Sequence, residues 1–258
     1  MRVAAIGLAA LLLAGDATAQ DSWDLEVSPA GDLTVASVTY EGGVGLAVQC
    51  RDGNVEVALL GLPPALPGEI NQYQMRTLAT GLAPAPMEES PWMTSAGSTT
   101  ALSALPLRRA RGLKRGGLLV VRTIPPSGVG APRRLEIPLP SDSSAIDRTL
   151  EACGKRTVDP RDDLLLAEDV ITPAEWSRSR MFEMPPWSGR GPTRVEVSCI
   201  VAEAGRVRDC QVESESMPGL GARMLLDQPN VRLGLRENAE TAIGRVIFLV
   251  VQGARIRR

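Results

Sequence analysis

Short apolar or alternating runs separated by turn dipeptides dominate the first part of the chain. "LTVASVTY" (Leu33 to Tyr40) is followed by Glu41-Gly42-Gly43, and "VGLAVQC" (Val44 to Cys50) meets "RDGN" before "VEVALLGL" (Val55 to Leu62). An Asp-Gly pair between two such runs predicts a tight hairpin, because both residues tolerate the positive φ that the turn requires. "LLVVRTI" (Leu118 to Ile124) and "RRLEIPL" (Arg133 to Leu139) are further strands bounded by Pro or Gly. Strands at this density predict a sandwich or an open barrel. "SSAIDRTLEACG" (Ser143 to Gly154) predicts a short helix, with Ser143 or Ser144 as cap, Ile146 and Leu150 on one face and Gly154 as stop. From Pro63 to Pro106 the chain is rich in Pro, Ala, Ser and Thr and shows no legible period.

Residues 155–190 mix charge clusters with proline and read as a linker. Within it "TPAEWSRS" from Thr172 predicts a capped helix start, and Trp176 and Trp187 are the residues expected to pack it along a domain. The strand pattern returns in "RVEVSCIV", with Val195, Val197, Cys199 and Val201 on one face and Glu196, Ser198 and Ile200 on the other. A turn centred on Ala204-Gly205 leads into "RVRDCQVES". Cys199 and Cys210 then stand directly opposite each other, or nearly so if the turn is one residue longer. Opposed strand residues lie about 4.5–5.5 Å apart, within the range a disulfide spans. "SMPGLGARMLLDQ" predicts a helix with Ser216 as cap and Leu220, Met224 and Leu225 on one face. The β-branched run Val246 to Val251 is a final strand, too apolar to face water on both sides.

Composition changes this picture in three ways. The chain opens with Arg2, an apolar run from Val3 to Ala14 and the small-x-small site Ala17-Thr18-Ala19. That is the three-part pattern of a cleaved export signal over residues 1–19; the alternative is an uncleaved anchor, for which the run is short. Four cysteines in an exported chain favour disulfides, here Cys199–Cys210 and Cys50–Cys153, the alternative for the second pair being free buried thiols. With no histidine and no C-x2-C pair, a metal site is disfavoured and no cofactor is expected. The net charge of -2 gives no reason to expect nucleic acid.

Catalytic patterns are missing. The lack of histidine removes Ser-His-Asp and Cys-His chemistry, and no G-x-S-x-G, S-x-x-K, P-loop or H-E-x-x-H motif occurs. The adjacent carboxylates Asp162-Asp163 and Glu88-Glu89 read as solvated loop charges. The basic run Arg108, Arg109, Arg111, Lys114, Arg115 reads as a solvated helix face or loop, with an anionic partner as the alternative. The chain is therefore expected not to be an enzyme.

"VEVSCIVAEAGRVRDCQVESESMPGLGARML…GRVIFLVV" resembles the C-terminal domain of TonB proteins, in the exported variety that carries a cysteine in each hairpin strand. The carriers are Gly205, Arg206 and Val207 at the turn exit, Val212 to Ser216 at the strand end, Pro218, Gly219 and Gly221 at the helix start, and Gly244, Val246 and Phe248 in the last strand. The resemblance covers about residues 191–252. It implies a small sheet with a packed helix that binds a peptide of an outer-membrane transporter by backbone pairing along an edge strand. Val246, Ile247, Phe248, Leu249, Val250 and Val251 are the residues it assigns to partner binding. The chain differs from a full transducer in having a short cleavable signal and a folded domain where a membrane helix and a long spacer would stand.

The expectation is an α+β protein: signal 1–19, β-rich domain 20–154, Pro-rich linker 155–190 and TonB-like domain 191–258. Its expected role is a periplasmic adaptor linked to TonB-dependent transport, docking a transporter or other envelope protein; the basic "ARIRR" tail reads as a solvated terminus, with peripheral envelope association as the alternative. The alternative is a structural envelope protein whose TonB-like domain packs on its own N-terminal domain.

Overall fold

The computed structural model describes residues 22–253 except 67, 72–73, 126–129, 167–170, 172–177, 184–192 and 237–238. The export signal, the helix start at Thr172, Trp176, Trp187 and the tail "ARIRR" lie outside the described residues.

Nine strands form one antiparallel sheet: β1 (Asp24–Val27), β2 (Leu33–Thr39), β3 (Gly45–Arg51), β4 (Asn54–Leu60), β5 (Met75–Ala83), β6 (Glu88–Met93), β7 (Ala101–Ser103), β8 (Gly117–Thr123) and β9 (Arg134–Leu139). Their order is β1-β2-β3-β4-β7-β6-β5-β8-β9. The sheet rolls far enough for its two ends to meet. Ser22, ahead of β1, bridges Asp142 beyond β9, and the Tyr40 hydroxyl donates to the Pro138 carbonyl. Strict alternation drives the roll: Ala36 and Val38, Leu46 and Val48, and Val55, Val57 and Leu59 all point into one core. The β3–β4 turn is the two-residue Asp52-Gly53 hairpin, with both residues at positive φ (49° and 75°).

Two helices fill that core. α2 (Ser144–Ala152) buries Ile146 and Leu150 completely, and Gly154 (φ 63°) ends it. Its start differs from expectation: neither Ser143 nor Ser144 caps through its hydroxyl, and the Asp142 carboxylate accepts from the Ser144 N–H instead. Cys153 follows directly and is bonded to Cys50 of β3, with a Cα–Cα distance of 5.5 Å. α1 (Pro106–Leu113) arises where the basic run suggested a solvated face or loop. Leu107, Ala110 and Leu113 enter the core of the large sheet, while Arg108, Arg111 and Arg115 recur at helical spacing on the opposite side.

A second sheet has three strands in the order β11-β10-β12: β10 (Thr193–Val201), β11 (Val207–Glu215) and β12 (Val246–Gly253). A short helix, α3 (Leu220–Leu225), packs Leu220 and Met224 against Val195, Val197, Cys199, Val201 and Leu249. Here too the cap is not the expected serine. Both oxygens of Glu215 accept from the α3 start, from the N–H groups of Gly219 and Gly221, whereas the Ser216 hydroxyl accepts from the Arg194 N–H. The other face of this sheet lies against α1. The fold is α+β, and among the described residues no helix is long and apolar enough to cross a membrane.

Candidate docking edge

The hairpin that supports the edge is held in register by two compensating irregularities. The turn contains three residues, Glu203 to Gly205, not two, and Ala202 closes it by donating to the Arg206 carbonyl. That alone would place Cys199 one position out of line with Cys210. An inserted residue restores the alignment: Asp209 sits at φ 50°, and the pairing shifts between Ser198 and Ile200. The cysteines are bonded with Cα atoms 4.1 Å apart. Arg161 occupies the irregularity, donating to the carbonyls of Ser198 and Asp209.

Gly205 is required at its position. Its φ is 70°, and a Cβ there would stand 2.1 Å from the Leu233 carbonyl oxygen, which is held close because Leu233 N–H donates to the Gly205 carbonyl. Replacing Gly205 by Ala is expected to destabilise the protein by about 3 kcal/mol, from positive-φ strain plus displacement of that packed backbone. A urea midpoint within experimental scatter of the parent would contradict this.

The second sheet meets α1 through buried polar groups of types usually found at the surface. Glu196 and Ser198 are fully buried, as are Glu213 and Ser214 for nearly all of their surface. Ser214 donates to Glu196, and Ser198 donates to Glu213. Burial pushes the Glu196 carboxyl up to about 8; Arg194 works against this and Glu213 adds to it. Arg194, itself lowered by burial, donates to the carbonyls of Ser103 and Ala104 just before α1.

The carboxylates read as solvated are only partly so. Asp162 is held by two hydrogen bonds from Arg111 (2.5 and 2.9 Å), and Glu88 lies on β6 and is held by Arg108 (2.6 and 2.9 Å). Asp163 and Glu89 are exposed. The basic run is correspondingly neutralised at every position but Arg109: Lys114 pairs with Asp147 and Arg115 with Asp163. The periodicity of Arg108, Arg111 and Arg115 was a usable signal for a helix with a polar buried side. Nothing in the sequence identified the carboxylates opposite.

β12 is an edge strand of the three-stranded sheet, paired with β10 on one side. Its six assigned residues divide by their geometry. Ile247 and Leu249 are buried toward α3, and Val251 packs on the same core, so their side chains are not available to a partner. Val246 is also buried, and its outward backbone groups are occupied. Its N–H donates to the Leu164 carbonyl at 2.6 Å and its carbonyl accepts from Leu166 N–H at 2.9 Å. The segment Leu164 to Leu166 is thus a strap over the beginning of the edge. Alternation along an antiparallel ladder turns the N–H and C=O groups of Phe248 and Val250 outward, as at Val246. No described residue hydrogen-bonds to those outward groups. Phe248 lies under the Arg108 guanidinium, 5.8 Å from the ring centroid, at the border with α1.

No protein-family model matches the chain, and comparisons with curated proteins and with solved structures find no match.

Proposed function

We propose that the three-stranded unit docks an extended segment of an outer-membrane transporter or another envelope protein, which adds as a strand beside β12. The observation that carries this reading is the outward backbone of Phe248 and Val250, at a sheet edge where, among the described residues, the strap occupies Val246 and nothing bonds the two later positions. Such an edge offers directional hydrogen bonds to any extended chain, and the flanking side chains set which one fits. The strap limits the incoming strand to the part of the edge after Val246. Two disulfides suit an oxidising compartment. On this reading the chain acts in the periplasm after loss of residues 1–19, as an adaptor in TonB-dependent transport.

A titration of the full chain with extended peptides, followed by amide shifts, tests the reading. The expected response is movement at Phe248 and Val250, and the absence of any shift at millimolar peptide would remove it. Val250→Pro sharpens the test. The Val250 N–H points away from β10, so proline removes a docking donor without deleting a bond of the internal ladder. We expect the fold to be retained and peptide affinity to fall about tenfold, the size of one lost hydrogen bond.

A second reading is favoured by the polar contact between the sheet face and α1. Arg111–Glu213, Arg161–Ser198 and Arg194–Ser103 tie this unit to the rest of the chain, as a purely structural unit would require. It predicts no peptide response at any concentration.

A further inference from the structure

A cavity of about 170 Å³ lies between α1, the end of β5 and the strap. Its wall is largely apolar, with Leu82, Pro86, Leu105, Leu113, Leu119 and Leu165. Three arginines, Arg108, Arg109 and Arg115, also line it. Two are neutralised where they stand, Arg108 by Glu88 and Arg115 by Asp163. Arg109 is different.

The Arg109 guanidinium stacks on Trp92, 5.4 Å from the ring centroid, and makes one hydrogen bond, from Nη2 to Ser90 Oγ at 3.1 Å. Its Nε is buried with no partner, and no carboxylate among the described residues pairs with it. Burial, reinforced by neighbouring Arg108 and opposed by Glu88, lowers its pKa to about 10, so it remains charged at neutral pH. Glu88 is shared with Arg108 and offsets the charge of Arg109 only from a distance, and a cation in the wall of an apolar cavity without a carboxylate of its own is costly unless an anion completes it.

We infer that this cavity binds a small organic monoanion, a carboxylate with an apolar tail, whose head pairs with Arg109. The charge count selects the head. One guanidinium with no contacting carboxylate balances one carboxylate head, and its terminal Nη groups are the donors, since Nε is fully buried. A phosphate, at about -1.5 to -2, would leave excess negative charge beside Glu88 and Asp162 in the same wall. The leucine-rich lining selects the tail. The volume suits a small ligand, since a cavity of roughly 150 Å³ holds benzene. No residue of β12 lines the cavity, which adjoins the edge only through Leu165 of the strap and Arg108, so octanoate binding and peptide docking are read out separately.

The test uses the full oxidised chain titrated with octanoate and, separately, with 1-octanol, by calorimetry and amide shifts. Octanoate should bind saturably, with shifts at Gly81, Arg109 and Gly112, and 1-octanol at least about tenfold more weakly, the size of one lost charged hydrogen bond. Arg109→Met removes the charge, keeps an unbranched side chain at this position and should reduce octanoate binding to the level of the alcohol. Gly112→Leu is the second variant, chosen because the fold tolerates it. Gly112 lines the cavity, has helical backbone, and has no atom within 4 Å of where a Cβ would stand. It should fold normally and lose octanoate by filling the space. Equal affinity for acid and alcohol, undiminished binding by folded Gly112→Leu, or no saturable octanoate binding would each overturn the inference.

Discussion

Replacing Cys50 and Cys153 together by alanine should lower the unfolding free energy by about 4–5 kcal/mol. The bridge joins residues 103 apart and restricts the unfolded chain accordingly. Both cysteines are buried, one in β3 and the other directly after α2, so the bridge also fixes the helix whose Ile146 and Leu150 fill the rolled sheet. The hairpin bridge closes only 11 residues and should contribute less, about 3 kcal/mol. Urea unfolding of the two double-alanine variants checks the ranking. A larger loss from the hairpin pair would mean that the large sheet does not depend on its bridge as described.

The second large effect is a pH dependence centred on Glu196. Its carboxyl is raised by burial to about 8 in the folded protein, against about 4.3 in an unfolded chain. Between these values the folded form holds a proton that the unfolded form has lost. The stabilising contribution is therefore fully present below about pH 4.3 and is lost as pH rises through 8, at up to about 1.4 kcal/mol per unit. Glu196→Gln keeps a neutral group able to accept from Ser214 and cannot ionise. The variant should lack this slope and be more stable than the parent at pH 9 by roughly 3–5 kcal/mol. Identical pH slopes in the two proteins would show that Glu196 is ionised in the native state.

Much of the strand pattern was legible because burial on one face of a rolled sheet imposes period two. The Asp52-Gly53 hairpin, the runs from Leu33 to Leu60 and the Ile146/Leu150 face of α2 all follow from that rule and from turn chemistry. The cysteine alignment in the second hairpin was also legible, though by a simpler route than the real one. The three-residue turn and the extra Asp209 offset each other, and such a pair of deviations leaves no trace in alternation. The helix caps were misassigned because Asp142 and Glu215 reach their amides from just outside the serines that pattern rules favour. The polar face between α1 and the second sheet was not legible. Glu196, Ser198 and Arg111 have surface composition, and only tertiary packing makes them interior. Of the six residues assigned to the docking edge, sequence could place all on one strand. It could not show that Val246 is strapped by Leu164 and Leu166, or that Ile247 and Leu249 are committed to the core.

Amide hydrogen exchange along β12 in the unliganded chain is the most direct measurement of whether another protein segment can be added there. The N–H groups of Ile247 and Leu249 point to β10 and should exchange slowly; those of Phe248 and Val250 should exchange rapidly, with Val246 protected by the strap. Rapid exchange at those two positions, slowing when an extended peptide is added, is the predicted result. If Phe248 and Val250 are already as protected as Ile247 and Leu249 without peptide, the edge is closed within the chain itself and the docking account is wrong.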